Sequence, residues 1–545
     1  MASECREEAV QGKKEAIHTK KRDQEVEMTD KIVLWNGNLL TMDSGNRRAE
    51  ALAISKGKIV GVGSNEEIRR LYGEEWKFID LQGRTVLPGF IDSHVHFMAT
   101  AITAVGINLA EARSIDEILV KVEEKAKETP PGEWIFGYFI THLPDRGMPT
   151  RYDLDRISTR HPVRLMHRNG HLCSLNTRAI ETLKIPVNLE GVEKESGEVT
   201  GVIRDPAIQV LSHPGSSLTD EMRMEALKFA SQVALGRGVT TLHALDGGAR
   251  NPGAIRFLLG VKDDLPVKLV LYNQTMNVKE PLDFGLPRIG GCISADGAFE
   301  SHTAALFEPY ADEPDNYGAL TYTQRRMSDF IRKAHQAGLQ IAVHCEGDRA
   351  VEQVLFGYER ALRFSPRKDH RHRIEHFEIP TERQIERAAR VGILAGMQPS
   401  FLPVFFFRNG VERYEIFLGR SRLKRIHPYR TMLSAGILMA GGSDSPVTEI
   451  DPLSGIEAAV THPHSEERLS VLEGIGLFTI NGARFAFEED QKGSIEIGKA
   501  ADLVILTEDP CSVAPEKVGK ISIEMTMVDG KVAFKREGMG NDGMI

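Results

Sequence analysis

The stretch Pro88-Gly89-Phe90-Ile91-Asp92-Ser93-His94-Val95-His96 carries two histidines two residues apart. On a β-strand, residues i and i+2 face the same side, so His94 and His96 present both imidazoles to one point. Such a pair suits a divalent metal, although two polar residues closing a strand leave the same signature. Three later segments add donors of the same kind: Val343-His344-Cys345-Glu346-Gly347-Asp348, Arg373-Ile374-Glu375-His376 and Gly442-Ser443-Asp444-Ser445-Pro446. Four histidines and one aspartate give mixed nitrogen and oxygen coordination, which fits Zn²⁺ and tolerates Mn²⁺, Fe²⁺ or Co²⁺, with one or two ions bound.

These donors converge only if the elements before them end on one rim. Apolar runs rich in Val, Ile and Leu alternate with helix-length amphipathic segments such as Glu221 to Arg237 and Tyr322 to Ala337, which means parallel strands with helical crossovers. The runs ending in polar or glycine residues are Gly89 to His96, Val239 to Ala244, Val267 to Tyr272, Gly290 to Ser294, Gln340 to His344, His372 to His376, Ile393 to Gln398 and Ile437 to Ser443. Eight is the number that closes an α/β (β/α)8 TIM barrel, whose active face is the C-terminal rim.

Outside the barrel, Lys31 to Met42, Ala51 to Ser55, Lys58 to Val62, Lys77 to Leu81 and Thr85 to Leu87 read as short strands separated by glycine turns. Gly493 to Ile497, Leu503 to Leu506, Met525 to Val528 and Lys531 to Phe534 repeat that texture, and segments so small are expected to pair into one composite β-sandwich. The expected division is a charged tail over 1–30, sandwich parts over 31–87 and 489–537, and a barrel over 88–488. Residues 97–237 are too long for one crossover and contain an inserted subdomain with its own strand, Val163 to Met166, placed where substrate selection is expected.

The composition excludes several classes. The 545 residues carry 68 Lys and Arg against 77 Asp and Glu, a net charge of −9, with 27% charged and 41% hydrophobic residues. Neither wholesale disorder nor a basic nucleic-acid footprint fits. Five scattered cysteines without a CxxC argue against a disulfide framework or zinc ribbon and favour a reducing, cytoplasmic location. The first thirty residues hold 14 charged side chains and no apolar run for a signal peptide, and no stretch is apolar enough to span a bilayer. The expected partner is a small-molecule substrate, with no nucleic acid and no membrane, and a homodimer is the assembly considered.

The ordered motifs resemble those of the YtcJ-like branch of the amidohydrolase superfamily, amidohydrolase family 3. They are Pro88 to His96, Asp296-Gly297, His344 to Asp348, Arg373 to His376, Gly442 to Val447 and Gly493 to Leu503, and the resemblance covers residues 31 to 537. It implies a metal-dependent hydrolase in which His94 and His96 bind one metal, His344 and His376 bind a second, and Asp444 is both ligand and proton shuttle. One departure concerns the bridging position. Such relatives carry a carboxylated lysine four residues before Asp-Gly, where this chain has Cys292. A thiolate has suitable charge and affinity to bridge or terminate a metal site, and the alternative is a small strand residue beside a single ion. Many relatives read Ser-Arg-Thr-Ala where this chain reads Ser301-His302-Thr303-Ala304, which makes His302 either a substrate contact or a space filler. In the insertion, Trp134 and Asn169-Gly170-His171 match recurring positions, and His171 either polarises a scissile carbonyl or is structural. Cys345, next to a ligand, turns away into apolar core, whereas Glu375 and Asp348 are expected to orient ligand rings.

The reaction expected is hydrolysis of a non-peptide C–N bond in an amide, N-acyl or N-formyl amine by metal-activated hydroxide, with Asp444 returning the proton to the leaving nitrogen. A deaminase or cyclic amidase acting on a ring C–N bond, and a metal-binding protein without turnover, are the alternatives.

Overall fold

The computed structural model describes residues 31–537, apart from 141–146, 169–171, 190, 205–206, 208–217, 249–250, 252 and 409–410. Eight strands form one sheet: β1 (Phe90–Val95), β2 (Val239–Asp246), β3 (Lys268–Asn273), β4 (Arg288–Ser294), β5 (Gln340–Cys345), β6 (Arg373–His376), β7 (Leu394–Met397) and β8 (Met439–Gly441). Every neighbouring pair from β1 to β8 is parallel. The two ends meet, because Val95 bridges Ser445 in parallel and the Ser93 hydroxyl donates to the Gly441 carbonyl at 2.8 Å. The sheet is therefore the (β/α)8 barrel that the alternating pattern predicts.

Its helices start where the chain supplies caps. Thr219, Thr323 and Thr381 accept backbone N–H groups at the starts of Asp220–Gly236, Gln324–Gln336 and Glu382–Val391, each such cap contributing about 1 kcal/mol. The last of these stops at Gly392, whose φ of +73° suits glycine, and buries Ile385 and Ala388 against the barrel. Seam closure also needs a bare backbone: a Cβ on Gly442 would lie 2.6 Å from the His94 backbone nitrogen. β8 can thus approach β1 closely enough for the Asp444 N–H to donate to the His94 carbonyl at 2.7 Å.

Both ends of the described chain share a six-stranded sheet in the order Lys531–Lys535, Ile523–Val528, Leu503–Leu506, Thr85–Pro88, Asn38–Leu40, Arg48–Ala49. It packs on a four-stranded sheet (Lys58–Gly63, Ala51–Ser55, Lys31–Trp35, Lys77–Asp80) through Leu34, Leu39, Ile54, Val86, Leu503 and Met527. The run expected over Lys31 to Met42 breaks at Asn36, φ +56°, so that its halves join different sheets. Gly493 to Ile497 is not a strand. Glycines at φ +89° (Gly493) and +93° (Gly498) interrupt an extended path, and Ser494, Glu496 and Lys499 bond one another at 2.6 Å instead of leaving a regular edge.

Between β1 and β2 a fourth sheet runs Val192–Glu195, Glu198–Arg204, Leu172–Leu175, Val163–His167, Ile135–Ile140, Ile107–Asn108. Among the described residues, no helix is long and apolar enough to cross a membrane.

Candidate metal centre

The ends of β1, β4, β5, β6 and β8 bring His94, His96, Cys292, His344, His376 and Asp444 together at the C-terminal rim. Two overlapping sets, His94 with Cys292 and His376, and His94 with His96 and Asp444, each have donor atoms within 4.8 Å of one another. Asp444 Oδ1 lies 3.2 Å from His94 Nε2 and 3.1 Å from His96 Nε2. Cys292 Sγ lies 3.9 Å from His94 Nε2 and 3.8 Å from His344 Nδ1. The His376 ring is 4.4 Å from that of His344 and 5.2 Å from that of His94.

The far side of each ring is fixed by the scaffold. His94 Nδ1 donates to Glu375 at 2.8 Å, His96 Nδ1 to the Leu245 carbonyl at 2.8 Å, and His344 Nε2 to the Gly297 carbonyl at 3.2 Å. Those bonds leave the opposite nitrogens of the three rings as lone-pair donors turned toward Cys292 and Asp444. Glu375 is itself held by Arg373, with Nε to Oε1 at 2.6 Å, and both side chains are fully buried. A Cβ on Gly396 of β7 would fall 2.3 Å from Glu375 Oε2, so glycine there makes room for the carboxylate. His376 and Asp444 have φ of +70° and +55°, a left-handed backbone that is costly for non-glycine residues and typical of functional sites.

Charge is concentrated here. Burial opposes ionisation of Asp444, yet the His94 and His96 rings hold its carboxyl well below the usual range. Burial likewise opposes the Cys292 thiolate, and His96, His344, His376 and His94 bring the thiol well below its ordinary value. Burial disfavours charge on His94 and His96, but Asp444 and Cys292 raise both well above normal. His344 rises to about 10 against its burial, chiefly through Cys292. The rings thus favour the charged forms of a buried thiol and carboxyl, a task that a divalent cation ligated by the same atoms would perform. His376 is lowered by burial and by its neighbour His344, and neither of its nitrogens has a hydrogen-bond partner. An orphaned imidazole, oriented lone pairs and two anionic ligands fit a transition-metal ion.

The other expected residues make the following contacts. His302 Nε2 pairs with Asp312 at 2.9 Å and its ring packs against Tyr310 and Phe417. Trp134 stacks on Phe136 at 5.4 Å in the inserted sheet. Neither is hydrogen-bonded to the six donors among the described residues, and His171 lies outside the described residues. Cys345 is fully buried, and burial pushes its thiol well up. Glu375 holds a ligand ring, but Asp348 does not: it accepts the Phe307 N–H and pairs with Arg425 at 3.2 Å, because it begins the helix Asp348–Phe364 and turns from the rim. Lys268 and Lys279 are engaged by Asp502 and Asp529, and by Asp283, which leaves neither for the position of Cys292.

Two carboxylates at the rim have no counterpart in the sequence reading. Glu346 gives one oxygen to the Phe299 N–H at 3.0 Å, and burial, with Asp296 adding and His344 opposing, raises it to about 8. Glu378 is 1% exposed with both oxygens unpartnered, and burial followed by Glu346 and Asp296 raises it well above a normal carboxyl. The signal was available: each lies two residues beyond a ligand-type histidine, the spacing that singles out His94 and His96.

A model of the amidohydrolase family matches residues 77–534. YtcJ of Bacillus subtilis (strain 168) is 30% identical over 92% of this chain and 99% of its own. An N-substituted formamide deformylase of Arthrobacter pascens is 26% identical over 93% of this chain and 99% of its own. A crystal structure of an uncharacterized metal-dependent hydrolase from Pyrococcus furiosus aligns over 88% of this chain and all of that one, with a TM-score of 0.75 and 26% identity.

Proposed function

The chain belongs to the amidohydrolase family, a divalent-metal-dependent hydrolytic enzyme acting on C–N bonds of small molecules, and from that premise we propose that it cleaves an exocyclic, non-peptide C–N bond in an N-acyl or N-formyl amine. The observation that carries the reading is Asp444, a buried carboxylate 3.1 to 3.2 Å from two imidazoles on the barrel rim. The N-substituted formamide deformylase similarity favours the N-formyl class.

His94, His96 and Asp444 would hold one ion, and Cys292, His344 and His376 would offer ligands for a second, the Cys292 sulfur lying between the two sets at 3.9 Å from His94 Nε2 and 3.8 Å from His344 Nδ1. Thiolate and imidazole together favour Zn²⁺. When bound, such an ion supplies Lewis acidity, which brings the pKa of water from about 15.7 to about 7 and polarises a carbonyl.

Asp444 accepts the proton of the attacking water and returns it to the leaving nitrogen, without which the tetrahedral intermediate cannot release an amine. Its depressed pKa keeps it in the acceptor form at neutral pH. Glu375, clamped by Arg373, keeps the His94 ring from rotating, and the Leu245 carbonyl does the same for His96. The barrel over 88–488, with the insertion in 97–237, is the proposed catalytic unit, supported by sandwich parts over 31–87 and 489–537.

A panel of N-formyl and N-acetyl amines, with amine and carboxylate release quantified, tests the reading. Stoichiometric amine and formate or acetate support it. Ammonia release or ring opening, with acyclic amides untouched, would transfer the enzyme to ring C–N chemistry.

A further inference from the structure

Both Glu378 oxygens lack a partner although the residue is 1% exposed. A carboxyl group out of water and without a hydrogen bond is costly unless something else satisfies it. The nearest basic atom is His376 Nδ1, 4.0 Å from Oε1, too far for a hydrogen bond. Glu346, also buried, arrives from the adjacent strand end with one oxygen bound to the Phe299 N–H. Among the described residues, no lysine or arginine pairs with either of them, whereas nearby Asp348 is matched by Arg425.

Aromatic rings gather beside these strand ends. Phe401 lies 5.9 Å from the His376 ring. Phe299 contacts Phe406 and Tyr414 edge-on at 6.4 and 6.0 Å, and those two rings are 4.1 Å apart. Buried carboxylates beside aromatic rings favour an organic cation, which gains ion pairing and cation–π attraction while its methylenes stay dry. A third metal ion is less suited, since neither donor set that gathers among the described residues includes Glu346 or Glu378.

We propose that Glu378 and Glu346, walled by Phe299, Phe401, Phe406 and Tyr414, form a subsite for an organic cation, so that the amide hydrolysed carries an ammonium or guanidinium group. This rests on the proposed N-acyl or N-formyl amine hydrolysis and names its substrate class.

The test uses the metal-loaded enzyme and a matched pair, mono-N-formyl-1,5-diaminopentane and N-hexylformamide, which differ by ammonium against methyl. The ammonium compound is expected to have a kcat/KM roughly a hundredfold higher, mostly through KM. Glu378→Gln should bring the ratio toward one with metal content retained. Equal or reversed preference in the native enzyme overturns the subsite, as does Glu378→Gln that strips metal with the ratio unchanged, which would make Glu378 a support for His376. Calorimetry with α,ω-diaminoalkanes separates this from failure of the functional reading. Binding lost in Glu378→Gln, without hydrolysis of any formamide, sinks the reaction and keeps the subsite. Hydrolysis of both formamides without diamine binding sinks the subsite and keeps the reaction.

Discussion

The two arcs of the barrel rim are built differently. On the arc of β1, β2 and β8, His94 and His96 each have one nitrogen fastened by Glu375 or the Leu245 carbonyl, and Asp444 is pinned through its backbone to His94. On the arc of β5 to β7, His376 has two orphaned nitrogens and Glu378 two orphaned oxygens, all buried. A satisfied polar network fixes geometry, and an unsatisfied one marks where exogenous groups supply the missing partners. The first arc fastens the rings and backbone of the proposed proton-transfer machinery while leaving Asp444 Oδ1 without a hydrogen-bond partner and open to an ion, and the second offers the remaining positions proposed for metal and substrate.

The largest effect expected is on the first arc. Asp444→Asn keeps the fold but cannot shuttle a proton, so kcat should fall by about 10² to 10⁴-fold with metal retained. A kcat near that of the native enzyme would remove Asp444 from the role.

A pair of variants three residues apart in the sequence then separates, by stability, a carboxylate that fastens the first arc from one left without a partner on the second. Glu375→Gln breaks a buried ion pair and leaves Arg373 without its partner, costing about 3 to 5 kcal/mol. Glu378→Gln removes a carboxyl with no hydrogen-bond partner among the described residues, so stability should fall by less than about 1 kcal/mol, or rise. Denaturant unfolding of metal-free protein reads both, and equal losses would erase the distinction.

Cys292→Ser sharpens the boundary between the arcs. If the thiolate bridges, metal content should drop toward one equivalent, and the cobalt-substituted enzyme should lose its near-ultraviolet sulfur-to-metal band, because a neutral hydroxyl is a far weaker ligand. Unchanged content and spectrum would make Cys292 a packing residue.

How far the sequence revealed this divides along the same line. The barrel was legible because each apolar run had to be buried on two faces and was followed by a helix, so all eight strands fall within or beside the expected runs. His94 and His96 were legible through strand periodicity. Glu346 and Glu378 obey the same periodicity and were passed over, since a carboxylate after a histidine reads as solvated until its burial is known. The lack of a lysine or arginine partner for them among the described residues depends on side chains far away in sequence, and no local pattern encodes it. Gly493 to Ile497 was misread because β-type composition does not reveal two left-handed glycines.

The smallest effect lies outside both arcs. Arg430 holds Glu473 down to about 2 against burial, at the capped start of the helix Val471–Leu477. A depressed carboxyl contributes stability above its unfolded value of 4.5 that is lost as pH falls through that value toward 2. Since the pair is about one-third exposed, screening limits Glu473→Gln to under about 1 kcal/mol at pH 7. The difference in Tm from the native protein should shrink as pH falls below 4.5 and vanish only below about 2, and a difference that persists there would show a packing role.

The most direct test of the central claim is formamide hydrolysis measured against metal content. Chelation should remove metal and activity together, and titration with Zn²⁺ should restore both in proportion. Full activity in protein shown by elemental analysis to be metal-free would contradict the account.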